Sequence, residues 1–233
     1  MGLSGVINSA SRRIKRRMAD QDKSENARAE ADVAPLQQRF PSLGRYAEQA
    51  PAIAKRFEND YLDYLTRVGH PNHAASLELI ATLWLLAEDS GARRIIDLGS
   101  GFTSFILRTY AAEHPGVEVW SVDDSAEWLE RTRGWLGEKG VSTTHLYTWD
   151  NLMAQGRHDF DLVLHDMGMM DTRARCLQQA VDLARDGGLV ILDDVHMADY
   201  RDHVAKTLEG RTLWSLKRFT RDPITRYAWL LAR

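Results

Sequence analysis

Apolar residues recur at two different periods along this chain, and the change of period divides it. From Pro41 to Val68, the positions Tyr46, Ile53, Phe57, Tyr61, Tyr64 and Leu65 fall at helical spacing. A second helical run extends from Leu77 to Leu86, with Asn72 as its candidate cap and Gly91 as its stop. Beyond Gly91, short apolar runs alternate with amphipathic ones. Runs ending at Leu98, Asp123, Trp149, Asp166 and Asp194 predict five strands. Helices are predicted between them over 102–114, 125–140 and 172–188, the last with its stop at ARDGG, and after them over 198–210. Unbroken apolar strands separated by helices imply a parallel sheet covered on both faces. The C-terminal part departs from this pattern. TLWSLKRF and ITRYAWLLA are strand-like runs joined by TRDP, too short a link for a crossover helix, so an antiparallel pair is predicted.

Composition narrows the class without naming it. A chain of 233 residues can bury a core of its own. Its formal charge of -3 argues against a nucleic acid as the main partner, because phosphate binding calls for a basic excess. The single cysteine, Cys176, excludes an internal disulfide, suits a reducing cytoplasm and falls on the apolar side of a helix. No run is apolar enough to insert stably in a membrane, and the first residues lack the apolar core of a signal peptide. Val6 stands where a myristoylation signal wants Ser or Thr. Residues 1–35 form a basic and polar arm, with Arg12, Arg13, Lys15, Arg16 and Arg17 clustered. The arm reads either as a solvated extension or as a helix that docks through Leu3, Val6, Ile7 and Ile14, for instance in a homo-oligomer.

Ligands of open α/β sheets bind beyond the carboxyl ends of the strands. The first strand runs into Asp97, Leu98, Gly99, Ser100 and Gly101, where the two glycines let backbone approach a ligand closely. Asp123 ends the second strand, where a carboxylate can accept from ribose hydroxyls. A nicotinamide dinucleotide fold shares these features. Asp97 would repel a pyrophosphate, however, Ser104 replaces the third glycine of that fingerprint, and the closing hairpin is foreign to it. IIDLGSGFTS resembles motif I of the class I S-adenosylmethionine-dependent methyltransferases, WSVDDS is similar to their second-strand end, and YTWDN to their third. The resemblance spans about residues 75–233. It implies an α/β, Rossmann-like, doubly wound, mostly parallel seven-stranded sheet with a C-terminal antiparallel hairpin and an N-terminal helical extension. Residues 36–90 would form a helical cap region and 91–233 the S-adenosyl-L-methionine-binding domain. Asp97, Gly99, Ser100 and Gly101 would hold the methionine end, Asp123 the ribose, and Asp150 the adenine with Trp149 or Asn151 beside it. Core packing is the competing reading of Trp149.

The fourth strand ends at Asp166 and the fifth at Asp193 and Asp194. This set resembles the magnesium site of the catechol O-methyltransferase-like group and of antibiotic-sugar O-methyltransferases. Mg²⁺ prefers oxygen ligands, makes a bound hydroxyl more acidic and holds it in line with the methyl group. The competing reading has one of the pair cap the following helix. A catalytic Lys expected in that group is absent, since Met169 occupies its place, and His196, His165 or an Asp remain as candidate bases. His70 and His73 flank a turn that would form part of the substrate pocket, with Met167, Met169, Met170 and Tyr200 as possible apolar wall. The function expected is O-methylation of a small-molecule hydroxyl, of sugar or polyol type, with divalent-metal assistance. The alternatives are metal-independent methyl transfer, a nicotinamide-dependent dehydrogenase, or a binding module working through the basic arm.

Overall fold

The computed structural model describes residues 22–233, so the basic cluster and the apolar positions from Leu3 to Ile14 lie outside the described residues. Helix α1 covers residues 22–39, followed by α2 (Pro41–Gly44), α3 (Tyr46–Arg67) and α4 (Leu77–Ser90). The alternating part begins with β1 (Arg94–Leu98), α5 (Phe102–Glu113), β2 (Glu118–Asp123), α6 (Ala126–Glu138), β3 (Leu146–Thr148) and α7 (Trp149–Met153). It continues with β4 (Phe160–His165), α8 (Met170–Leu183), β5 (Ala184–Leu192), α9 (Ala198–Thr207), β6 (Leu213–Ser215), α10 (Lys217–Thr220) and β7 (Trp229–Ala232). No helix among the described residues is long and apolar enough to cross a membrane.

The strands form one sheet in the order β3-β2-β1-β4-β5-β7-β6. β1 to β5 pair in parallel, and β7 runs antiparallel to both β5 and β6. Side chains alternate across the sheet, as the strand period of two requires. Ile95, Leu162, Leu164, Leu189 and Ile191 face a core shared with α2 to α6, while Ile96, Leu98, Val163, Val190 and Leu192 face one shared with α7, α8 and α9. The unbroken apolar strands of the sequence are thus explained by two covered faces. In α4 every residue from Leu79 to Ala87 is buried, which accounts for its run lacking a polar stripe.

Three local expectations are corrected. Asn72 does not cap α4: the chain turns first, with the His70 carbonyl accepting from His73 and Ala74, and Ser76 becomes the cap, its Oγ accepting from Leu79 N at 3.1 Å. The predicted helix stop at ARDGG is already strand. Gly187 there has φ of 77°, and the pairing register with β4 shifts between Phe160 and Leu162. The closing antiparallel pair exists, but it is not joined by TRDP alone, because α10 forms in between. Leu216 and Phe219 are both buried there, and the Thr220 hydroxyl donates to the Leu216 carbonyl at 3.1 Å.

Helix α1 runs through the expected boundary at residue 35 and lies along the sheet edge. Edge strand β6 leaves main-chain groups unpaired. Asp32 Oδ2 accepts from Ser215 N at 2.7 Å, and the Arg28 guanidinium donates to the Leu213 carbonyl and covers the Trp229 ring at 4.2 Å. Glu25 is buried and its Oε1 accepts from Ser215 Oγ at 2.6 Å and Trp229 Nε1 at 2.9 Å. Truncating Glu25 to Ala removes a shared acceptor from two buried donors. The expected loss is about 1–3 kcal/mol in urea unfolding, and a loss too small to measure would show that α1 docks without these bonds.

Candidate active site

The cavity at the carboxyl ends of the strands measures 460 Å³, within the range of ligand and cofactor sites. Its floor is the turn from β1 into α5. Gly99 has φ of 113°, and a Cβ there would come within 2.5 Å of the Asp166 carbonyl oxygen, so the β1 and β4 ends touch only because residue 99 has no side chain. Ser100 donates through N and Oγ to Asp123 Oδ2 at 2.8 and 2.9 Å, and Ser125 N donates to Oδ1 at 3.0 Å. Asp123 therefore clamps the turn as well as lining the cavity. Asp97 lies fully buried beneath it, accepting from Thr103 Oγ1 at 2.9 Å and Ser104 Oγ at 2.6 Å. Burial pushes its pKa up to about 7, against those hydrogen bonds. Asp97 stabilises the turn from below and is not among the residues that line the cavity.

Beside the turn, three acidic residues at the ends of β4 and β5 converge, Asp166 and Asp194 on the cavity wall and Asp193 buried outside it. Asp166, Asp193 and Asp194 each offer a carboxylate oxygen within 4.8 Å of the others. Neither Asp193 nor Asp194 caps the next helix: Met197 precedes α9 without a side-chain cap. Asp194 has φ of 59°, a left-handed conformation uncommon outside glycine and tolerated best by Asn and Asp.

Helix α8 brings a fourth group that sequence reasoning missed. Arg173 is buried; its Nη2 forms an ion pair with Asp166 Oδ1 at 2.6 Å and donates to the Asp166 carbonyl at 2.8 Å, and its Nη1 donates to Asp194 Oδ2 at 2.8 Å. A signal existed: Arg173, Cys176, Leu177 and Ala180 share one helical face, and that face is buried. Three carboxylates beside one guanidinium leave an acidic excess. Burial raises the Asp166 pKa well above its usual range and that of Asp193 too, with Arg173 opposing and the neighbouring carboxylates adding to the rise.

The set fits a divalent cation. Arg173 pairs with one oxygen each of Asp166 and Asp194, and Asp194 Oδ1 is buried with no hydrogen bond, facing His196 Nδ1 at 3.3 Å. His165 Nδ1, Arg173 Nε and Tyr200 Oη are also buried without a hydrogen-bond partner among the described residues.

His165 is fully buried, its Nε2 lies 2.9 Å from the Arg173 carbonyl, and burial pushes its pKa down to about 4. His196 stands with Nδ1 3.3 Å from Asp194 Oδ1, and its pKa is lowered by burial, so it is neutral at pH 7 and able to take a proton. His73 lines the cavity and His70 packs edge-on against it at 5.7 Å without lining it. Trp149, Asp150 and Asn151 form the first turn of α7 behind Thr148, and the cavity wall does not include them. Instead Trp128, whose Nε1 donates to the Ser100 carbonyl at 2.6 Å, Asp124 and Tyr64 belong to that wall.

Sheet order, reversed seventh strand and glycine turn together define the class I, Rossmann-like methyltransferase fold. Solved structures with this fold are similar to the chain over most of its length. One is the O-methyltransferase TomG of Streptomyces achromogenes, involved in tomaymycin synthesis and solved with S-adenosylmethionine. It is 22% identical, with 79% of this chain and 88% of that one covered at a TM-score of 0.56. Another is an O-methyltransferase from Bacillus cereus solved with S-adenosylhomocysteine, 14% identical over 90% of this chain and 100% of that one, at 0.57. A putative O-methyltransferase from Klebsiella pneumoniae is 18% identical over 90% and 98%, at 0.56. No protein-family model and no curated protein sequence matches the chain.

Proposed function

We propose that this protein is an S-adenosylmethionine-dependent O-methyltransferase acting on a hydroxyl of a small molecule. The observation that carries the reading is the convergence of Asp166, Asp193 and Asp194 beside the glycine turn, with Asp166 and Asp194 lining the same cavity. The structural neighbours solved with S-adenosylmethionine or its demethylated product support the choice of cofactor. In the reaction the acceptor oxygen forms a bond to the methyl carbon as the carbon–sulfur bond breaks, and its electron pair goes to sulfur. The hydroxyl proton must leave to a base. Neutral His196 beside Asp194 is one such group, and a carboxylate of the cluster is the other. Asp166, Asp193 and Asp194 would hold a Mg²⁺ ion. Bound there, it would lower the pKa of the acceptor hydroxyl. Arg173 holds two of those carboxylates in place, and Met169, 73% exposed at the cavity, gives an apolar contact for the acceptor body.

Arg173 also favours a second reading, in which its guanidinium provides the positive charge and transfer needs no metal. Incubation with methyl-labelled S-adenosylmethionine and a panel of hydroxylated metabolites tests both. Label appearing in product and lost on chelation supports the metal-assisted reaction. Label that survives chelation supports the second, and no transfer to any acceptor together with transfer of hydride from a nicotinamide would overturn both.

A further inference from the structure

Tyr64, Asn72 and His73 of the N-terminal helical region line the cavity and are left unused by the catalytic scheme, and of these only Tyr64 is buried. Tyr64, near the end of α3, is buried to 2% exposure. Its ring is wedged between Phe102, at 5.6 Å between centroids, and Trp135, edge-on at 5.0 Å. Phe102 begins α5 directly after the glycine turn, so the ring is anchored to the turn itself.

Two glycines make room for this side chain. A Cβ at Gly69 would meet Tyr64 Cε1 at 2.4 Å. A Cβ at Gly101 would lie 2.8 Å from Tyr64 Oη, and only Tyr64 atoms come within 4 Å of that point. Gly101 has an extended φ of 166°, so its dihedral does not demand glycine. The missing side chain leaves space above the turn, and the phenol hydroxyl stands in it at the cavity wall. Oη makes no hydrogen bond to any other described residue. Burial first, then the carboxylates of Asp97 and Asp123, push its pKa up, so it stays protonated and can donate.

Several other polar groups of the turn are engaged: Ser100 N and Oγ go to Asp123, and Gly101 N to Ser104 Oγ at 3.1 Å. Side-chain groups around the turn are mostly acceptors. A ligand with a carboxylate at this end needs a donor, and a rigid, unpartnered phenol supplies it. We propose that Tyr64 Oη binds the carboxylate of the cofactor's methionine moiety, making α3 part of the cofactor site. The inference rests on the S-adenosylmethionine reading above.

Tyr64→Phe removes the hydroxyl and keeps the ring. Calorimetric binding of S-adenosylhomocysteine should weaken at least about tenfold, the scale of a hydrogen bond to a charged group. Binding of 5′-methylthioadenosine, which lacks the amino-acid end, should stay within about twofold, and the ligand-free melting temperature should not fall, because no protein hydrogen bond is lost. Unchanged S-adenosylhomocysteine affinity, or equal weakening of both ligands, would overturn the assignment. If the unmodified protein binds neither ligand, it is the methyltransferase reading that fails.

Discussion

Arg173→Met is expected to cost about 3–5 kcal/mol of folding stability, the scale found when one partner of a buried ion pair is removed. The guanidinium is buried and meets Asp166 Oδ1, Asp194 Oδ2 and the carbonyls of Asp166 and Gly168, the last at 3.3 Å. Met fills similar volume but leaves three neighbouring carboxylates without a fixed counter-charge. Arg173→Lys should recover only part of the loss, because one ammonium cannot reproduce a planar fork with two arms. Urea unfolding at neutral pH in the presence of a chelator measures both variants. A loss under about 1 kcal/mol for Arg173→Met would mean that the carboxylates find relief elsewhere, and the description of Arg173 as their counter-ion would be wrong.

The second large effect is catalytic. Asp166→Asn retains shape and one acceptor oxygen but removes a negative charge from the site where the acceptor is expected to lose its proton. We expect kcat/KM to fall about 10³-fold, on the scale of removing one preorganised electrostatic contact. The glycine turn does not depend on the Asp166 carboxylate: Gly99 meets its backbone, and Ser100 is held by Asp123. Affinity for S-adenosylhomocysteine should therefore change little. A variant that loses cofactor binding in step with rate would place Asp166 in the cofactor site instead of the transfer site.

The sequence was most legible where one physical rule governed the segment. Buried parallel strands give unbroken apolar runs, so β1, β2, β4 and β5 could be read directly, and the carboxylates at the ends of β4 and β5 followed from the topology. Short elements obeyed weaker rules. The LKRF segment reads equally as strand and as one helical turn, and burial of Leu216 with Phe219 decides for the turn. Asn72 and Ser76 are both good caps by residue type, and the choice fell to the backbone bonds that close the turn at His70. Arg173 and Tyr64 were harder. Arg173 reaches the site from α8, packed on the sheet, and Tyr64 from α3, packed on α4, and which side of each helix faces the cavity is set by tertiary packing. Each also looks ordinary along the chain: one cation in an amphipathic helix, one aromatic on an apolar stripe. Asp97 shows the reverse case. Its position in the motif suggested a ligand contact, and the structure adds that its carboxylate accepts from Thr103 and Ser104 and supports the turn from below.

The central claim is that the cavity above Gly99 and Gly101 takes S-adenosylmethionine. Isothermal titration of the unmodified protein with S-adenosylhomocysteine, and in parallel with NAD, tests it most directly. Saturable one-to-one binding of S-adenosylhomocysteine is expected, and none of NAD. Saturable NAD binding with no heat from S-adenosylhomocysteine would contradict it.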